Sequence, residues 1–302
     1  DALELALKAF GVAKGDEVIV PALTWISTAE AVVNVGATPV FCDVDPDGLI
    51  AVSEAGKCLS PKTKAIIPVH LYGKMVDMRP LLKFSMQNKL KVIEDAAQAF
   101  GAVQEERSAG AFGDIGCFSF YPTKNLGALG EAGLMTTQDE ALAQKLRAIL
   151  NHGQAEKDVH ILVGRNSKID TLQAAFLNVK LNYFKEWQVK RKKLADLYLK
   201  ELMEVEELRL PKGILDENHN AHLFTIRLDQ RDALRVYLEQ QGIGTAVHYP
   251  SPITSTPIFK SPISFPMAEE FSRTILSLPL HPFLKEEEVI WVACKVRQFF
   301  IS

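Results

Sequence analysis

Lys91-Val92-Ile93-Glu94-Asp95-Ala96-Ala97-Gln98 is a short apolar run that stops on two consecutive carboxylates. A run this short, bounded by polar residues and rich in β-branched side chains, predicts a buried strand over Lys91–Glu94. Working outward, the pattern recurs at Glu17–Val20, Thr38–Val44 and Ala65–Val69 before it, and at Cys117–Tyr121 and Gly133–Thr137 after it. Helical stretches fall between these runs. One covers Ser27–Val35, with Ser27 or Thr28 as its cap and Gly36 as its stop; another covers about Met78–Gln87. Short strands separated by helices predict an α/β fold whose mostly parallel sheet is flanked by helices.

Helices dominate from Glu140 onward, where Leu142, Leu146, Ile149 and Leu150 form one apolar stripe. A long helical stretch runs from about Thr171 through Leu202, with a break or bend expected near Asn182–Lys185. Loop residues gather at Pro211–Asn220, and the domain change is placed there. The expected division is a large α/β domain, residues 1–210, and a small C-terminal α+β domain, residues 211–302. The small domain reads as a strand (His222–Leu228), a helix (Asp232–Gln241), a strand (Thr245–Tyr249), a Pro/Ser-rich loop and two helices. A chain of 302 residues is long enough for both.

Bulk chemistry narrows the function classes. The net charge of −3 offers no basic surplus for phosphate backbones, which argues against a nucleic-acid partner. The densest basic run, Lys185–Lys193, has Trp187 and Val189 interleaved and reads as a solvated helix face. Cys42, Cys58, Cys117 and Cys294 form no Cys-x-x-Cys pair. Neither a disulfide framework nor a zinc site is expected, and a reducing cytoplasm fits best. No apolar run approaches the length of a membrane span, so no membrane partner is expected.

Two residues could carry chemistry. Asp95 stands at the carboxyl end of its strand, where open α/β sheets place ligands. A buried carboxylate there needs a cation or donors, and a protonated pyridine nitrogen would serve; equally, Asp95 could cap a helix starting at Ala96. Lys124 follows the strand at Ser119-Phe120-Tyr121-Pro122-Thr123-Lys124-Asn125 and precedes the glycine-rich stretch Gly127–Gly133. Glycines let backbone approach a ligand closely, and a desolvated lysine has a lowered pKa suited to imine formation. The alternatives are a surface lysine and a tight turn before the next strand. The glycine stretch fits no phosphate-loop or dinucleotide pattern. His70 and His152 read as locally satisfied hydrogen-bonders.

Set in series, several segments resemble the DegT/StrS family of pyridoxal-phosphate-dependent nucleotide-sugar aminotransferases. They are Gly15–Pro21, Gly36–Phe41, Pro68–Gly73, Glu94–Ala99, Gly113–Asn125, Asn151–Gly153, Asn166–Ala175 and Gly242–Gly244. The resemblance spans essentially the whole chain and implies a fold-type-I enzyme acting as a homodimer with sites at the subunit interface. It implies an amino donor, glutamate or glutamine, and a nucleotide-linked keto-sugar acceptor. Lys124 would hold pyridoxal 5'-phosphate as a Schiff base and shuttle the proton between the donor's Cα and C4′ of the cofactor. Asp95 would pair with the pyridinium nitrogen. Gln98 would bond the ring hydroxyl, Ser119 a phosphate oxygen, and Trp25 would stack on the ring face. Asn166 matches the residue that reaches the phosphate of the partner's cofactor, and His248 a position near the sugar nucleotide.

Some features depart from that pattern. The chain opens inside an amphipathic helical pattern, and the family's Ser-Gly-Thr stretch, whose amides hold the phosphate, would lie before Asp1. An N-terminal segment is therefore expected to be missing. Lys168 stands where an arginine is usual, and Ser251–Ser255 lack the family's further histidine. The rival reading is a truncated, cofactor-poor family member with a regulatory role. Relatives that replace the lysine by histidine catalyse dehydration instead, and Lys124 argues against that chemistry.

Overall fold

The computed structural model describes residues 1–301. Six short strands make its central sheet: β1 Glu17–Pro21, β2 Thr38–Cys42, β3 Thr63–Ile66, β4 Lys91–Asp95, β5 Ile115–Ser119 and β6 Gly133–Thr136. Their spatial order is β2-β1-β3-β4-β5-β6. The first five are parallel, and β6 closes the edge antiparallel to β5. The chain steps from β1 outward to β2 and then crosses back to β3. The strand order thus reverses between β1 and β3, the kind of place where a crevice opens beyond the carboxyl ends.

The absence of alternation in these strands has a direct cause. Ile19, Ile66 and Val92 face one core with Leu71, Met78 and Leu81. Their neighbours Val18, Val20, Ala65, Ile67 and Ile93 face another with Leu5, Leu7, Val32, Leu146 and Ile149. Successive side chains point to opposite faces, and helices cover both. The helices are α1 Ala2–Ala9, α2 Ser27–Asn34, α3 Met78–Gln87 and α4 Glu140–Leu150. No described helix is long and apolar enough to cross a membrane.

The long helix α5, Thr171–Leu202, runs unbroken for 32 residues, correcting the expected bend near Asn182–Lys185. Phe184 anchors that stretch, packing edge-on to Phe100 at 5.1 Å. A buried aromatic there outweighs the helix-neutral polar residues around it. The carboxyl half of α5 supplies Leu194, Ala195, Tyr198 and Leu202 to a separate core. That core is shared with β7 Phe224–Arg227, α6 Arg231–Gln240, β8 Ile275–Leu278 and α8 Glu286–Ile301. Helix α7, Pro266–Thr274, lies between them in sequence and returns Ala268 and Phe271 to the first core.

Two further expectations are corrected. Thr245–Tyr249 is not a strand; only Ala246 bridges to Ser277. The strand paired with β7 is β8. The basic run Lys185–Lys193 is not wholly solvated, because Arg191 is buried and donates to the carbonyls of Ala221, His222 and Leu280.

Candidate active site

Because they are parallel, β1, β4 and β5 end on the same edge of the sheet. Asp95 is the last residue of β4 and is buried. Its register is fixed from both sides: its amide donates to Pro68 O, and its carbonyl accepts from His70 N. No helix starts at Ala96; a turn does, and Asp95 Oδ1 accepts from Ala97 N at 3.2 Å. Capping a helix is therefore not its role. Asp95 Oδ2 accepts from Thr28 Oγ1 at 3.0 Å. Thr28 was expected as a possible cap of α2, but Ile26 takes the cap position without any side-chain bond. The Thr28 hydroxyl points across the sheet instead.

Burial pushes the Asp95 carboxyl above its ordinary range, while the Ala97 amide, the Thr28 hydroxyl and the Lys124 charge pull it back. Lys124 lies in the turn after β5, its amide donating to Tyr121 O at 2.8 Å. The turn folds back tightly enough that a Cβ on Gly127 would meet Pro122 O at 2.4 Å, so glycine is required there. Lys124 Nζ has no hydrogen bond or ion pair among the described residues. Burial lowers its pKa, and the Asp95 charge acts against that shift. The surface-lysine alternative fails, since the side chain is half-buried.

Gln98, in the turn after β4, accepts from Tyr72 N at 2.5 Å and donates to Tyr249 Oη at 3.1 Å. Its Nε2 keeps a second hydrogen to donate. Ser119 ends β5, and its Oγ accepts from Tyr121 N at 3.3 Å, leaving the hydroxyl hydrogen available. Trp25 is 58% exposed, so it is no packing tryptophan; its ring stands 5.6 Å from that of Tyr249, tilted by 41°. Tyr249 comes from the carboxyl-terminal part of the chain and is pushed up to about 12 by burial. His248 bonds Ser277 Oγ through Nδ1 at 2.8 Å, and its carbonyl accepts from Tyr72 Oη at 2.6 Å. Burial and the Lys124 charge both lower its pKa.

Contacts and charges thus link Trp25 and Gln98 through Tyr249, and Lys124 to Asp95 and His248, while Ser119 stands at the end of β5 just before the Lys124 turn. Asn166 is not among them. It is exposed in the loop before α5, flanked by Arg165 and Ser167, which bond to Glu4 and Asp1 at the start of α1. Sequence reasoning missed Tyr249 and Thr28, and also the pair beneath Lys124. Asn125 donates through Nδ2 to Asn220 O and accepts at Oδ1 from His222 Nδ1 at 2.8 Å. Because that amide nitrogen is the donor, the imidazole carries its proton on Nδ1.

This donor set fits pyridoxal phosphate. A half-buried amine without a partner and a buried carboxylate without an ion pair suit a carbonyl and a protonated ring nitrogen respectively. Fold and site together define an α/β enzyme of the fold-type-I, pyridoxal-phosphate class.

The sequence profile of the DegT/DnrJ/EryC1/StrS aminotransferase family matches residues 1–297, and the chain belongs to that family. It is 43% identical over 302 residues to the UDP-N-acetyl-3-dehydro-alpha-D-glucosamine 3-aminotransferase of Acidithiobacillus ferrooxidans, covering 99% of this chain and 81% of that one. It is 40% identical over 304 residues to a dTDP-3-amino-3,4,6-trideoxy-alpha-D-glucose transaminase of Streptomyces venezuelae, covering 99% and 80%. Among solved structures, DesV of S. venezuelae in complex with a ketimine intermediate superposes with a TM-score of 0.95 at 40% identity, covering 99% of this chain and 82% of that one. The Bacillus subtilis protein ntda with bound cofactor PMP gives 0.91 at 34% identity, covering 98% and 71%.

Proposed function

We propose that this chain moves an amino group from glutamate or glutamine onto a keto group of a nucleotide-linked sugar, with pyridoxal phosphate as cofactor. The observation that carries the reading is the partnerless Lys124 amine lying near enough to the buried Asp95 carboxylate for each charge to act on the other. The two named curated relatives both carry the amino group at C3 of their sugar, which favours C3 as the acceptor position.

When bound, pyridoxal phosphate supplies an electron sink for the pair left behind as the donor's Cα loses its proton. The rest is the work of this chain's residues. Lys124 Nζ, made less basic by burial, takes that proton as general base. Asp95 would hold the protonated ring nitrogen by its negative charge. Gln98 Nε2, with its second hydrogen, would donate to the ring hydroxyl, and the Ser119 hydroxyl would donate to the phosphate. Trp25 and Tyr249 wall the cleft and exclude water, and His248 borders the space left for the sugar nucleotide.

Two copies are proposed to share their sites, with Asn166 serving the partner's phosphate. The exposed apolar side chains Ile161, Val163, Leu172, Phe176 and Val179, on and before the amino half of α5, support such a contact. The division at residues 210 and 211 is kept as the domain boundary, with α5 contributing to both sides. Four free cysteines agree with a cytoplasmic setting.

The test is reconstitution with pyridoxal phosphate, then borohydride, then mapping of the label. Loss of the visible absorbance with label on Lys124, followed by turnover of UDP- or dTDP-linked 3-keto-sugars, is expected. A protein that stays colourless with added cofactor sinks the reading.

A further inference from the structure

Thr24 and Thr28 are almost fully buried at 4% and 1% exposure, although neither hydroxyl is needed to build α2. Their Oγ1 atoms lie 3.1 Å apart, and Thr28 Oγ1 lies 3.0 Å from Asp95 Oδ2. A hydroxyl has one hydrogen to give, and an ionised carboxylate can only accept. With Asp95 ionised, the Thr28 hydrogen is committed to Asp95, and Thr24 must donate to Thr28. The chain of donors then runs one way, from Thr24 to Thr28 to Asp95, and each link polarises the next.

We propose that Thr28 is a positioning residue for Asp95: the last donor of a buried hydroxyl chain that keeps this carboxylate ionised and in one orientation for a cationic ring nitrogen. The proposal rests on reading Asp95 as the partner of that nitrogen. Thr28 can take this part because it shares a face of α2 with Val32, which packs into the core beneath that sheet face. The charged and titratable groups around Asp95 are Lys124 from the turn after β5, His70 from the segment after β3, Glu94 beside it on β4, Cys117 on β5 and Tyr249 from the carboxyl-terminal part. Of the two side-chain donors in this chain, only Thr28 bonds Asp95 directly.

The experiment uses the full chain and pyridoxal phosphate itself. Affinity is measured across acidic to neutral pH for wild type, Thr28→Val, Thr28→Ala, Thr28→Ser, Thr24→Val and Asp95→Asn. In parallel, the Asp95 carboxyl of the cofactor-free protein is titrated by carbon NMR, with Asp95→Asn assigning the signal. Loss of a hydrogen bond to a charged group predicts that Thr28→Val and Thr28→Ala weaken binding about tenfold and move the Asp95 midpoint up by about one pH unit. Thr28→Ser is expected within about threefold of wild type, and Thr24→Val between the two. Should Thr28→Val not fold, the Ala and Ser variants carry the comparison.

If Asp95→Asn weakens binding while the Thr28 variants keep the wild-type midpoint, the Thr28 proposal falls and the reading of Asp95 stands. Lower thermal stability with an unmoved midpoint also overturns it, because that marks a packing role. If Asp95→Asn binds as tightly as wild type, the reading of Asp95 falls, and the proposal with it.

Discussion

Glu94 and Asp95 are consecutive, both buried, and point to opposite faces of the same strand. Glu94 is saturated with donors. Its two oxygens accept from the amides of Gly110, Phe112 and Gly113 at 2.6 to 2.8 Å and from His70 Nε2 at 3.0 Å. His70 Nδ1 accepts from Val76 N, so its proton sits on Nε2 and is given to Glu94. Burial alone would raise the Glu94 carboxyl, but these donors overcome it and hold it below its ordinary value. Asp95 has one hydroxyl and one amide, and burial wins. The difference separates a carboxylate that fastens a loop from one that has no ion pair and is proposed to meet a cationic ring nitrogen, and burial by itself distinguishes neither.

The largest effect should come from Lys124→Ala. It removes the proposed base and also the nearest positive charge acting on Asp95, and aminotransferase turnover should fall about 10⁴-fold. Retention of more than a tenth of the activity would break the pairing of the two residues. Asp95→Asn is next, with a loss of about 10²- to 10³-fold in kcat.

The same substitution should stabilise the cofactor-free protein. The folded-state pKa of Asp95 is raised, so folding favours the protonated form. Its contribution to stability is present below the unfolded value and is lost as pH rises through the folded one. At neutral pH the Asn variant should therefore melt a few degrees higher by calorimetry. A lower Tm would place Asp95 in the same category as its neighbour.

Glu94→Gln should behave in the opposite sense, costing about 2–3 kcal/mol in urea unfolding. The folded-state pKa of Glu94 is depressed. Its stabilisation is present above the unfolded value near 4.5 and is lost as pH falls through the folded one, so the variant's stability should lack that acid limb. The smallest effect is expected for Tyr249→Phe, which removes one neutral hydrogen bond from Gln98 and should weaken cofactor binding about threefold.

Which parts of this were readable in sequence follows from range. The strands of the sheet were recognisable because burial on both faces leaves continuous β-branched runs. Helix α3 falls where a helix at about Met78–Gln87 was expected, and the structure adds the cap, Asp77, whose side chain accepts from Arg79 N. Lys124 and Asp95 were found through their position after strands together with the family resemblance. Thr28 was not, because the partner of its hydroxyl is 67 residues away and nothing local distinguishes it from a cap. Arg191 looked solvated for the same reason: its three carbonyl acceptors come from residues 221, 222 and 280. Tyr249 was placed inside an expected strand, yet that segment forms only a single bridge and otherwise turns its side chains toward the cleft and the core.

Helix α5 is a rod of about 48 Å at the usual rise per residue, given its 32 residues. Its amino half exposes Leu172, Phe176 and Val179 and bonds Leu129 and Gly127 through Gln173 and Lys180, its middle bonds Asn125 through Gln188, and its carboxyl half is part of the second core. A stiff member fixed at three stations transmits displacement rather than absorbing it. A substitution on the outer apolar surface is therefore expected to be felt at the glycine turn after Lys124, which the same helix holds.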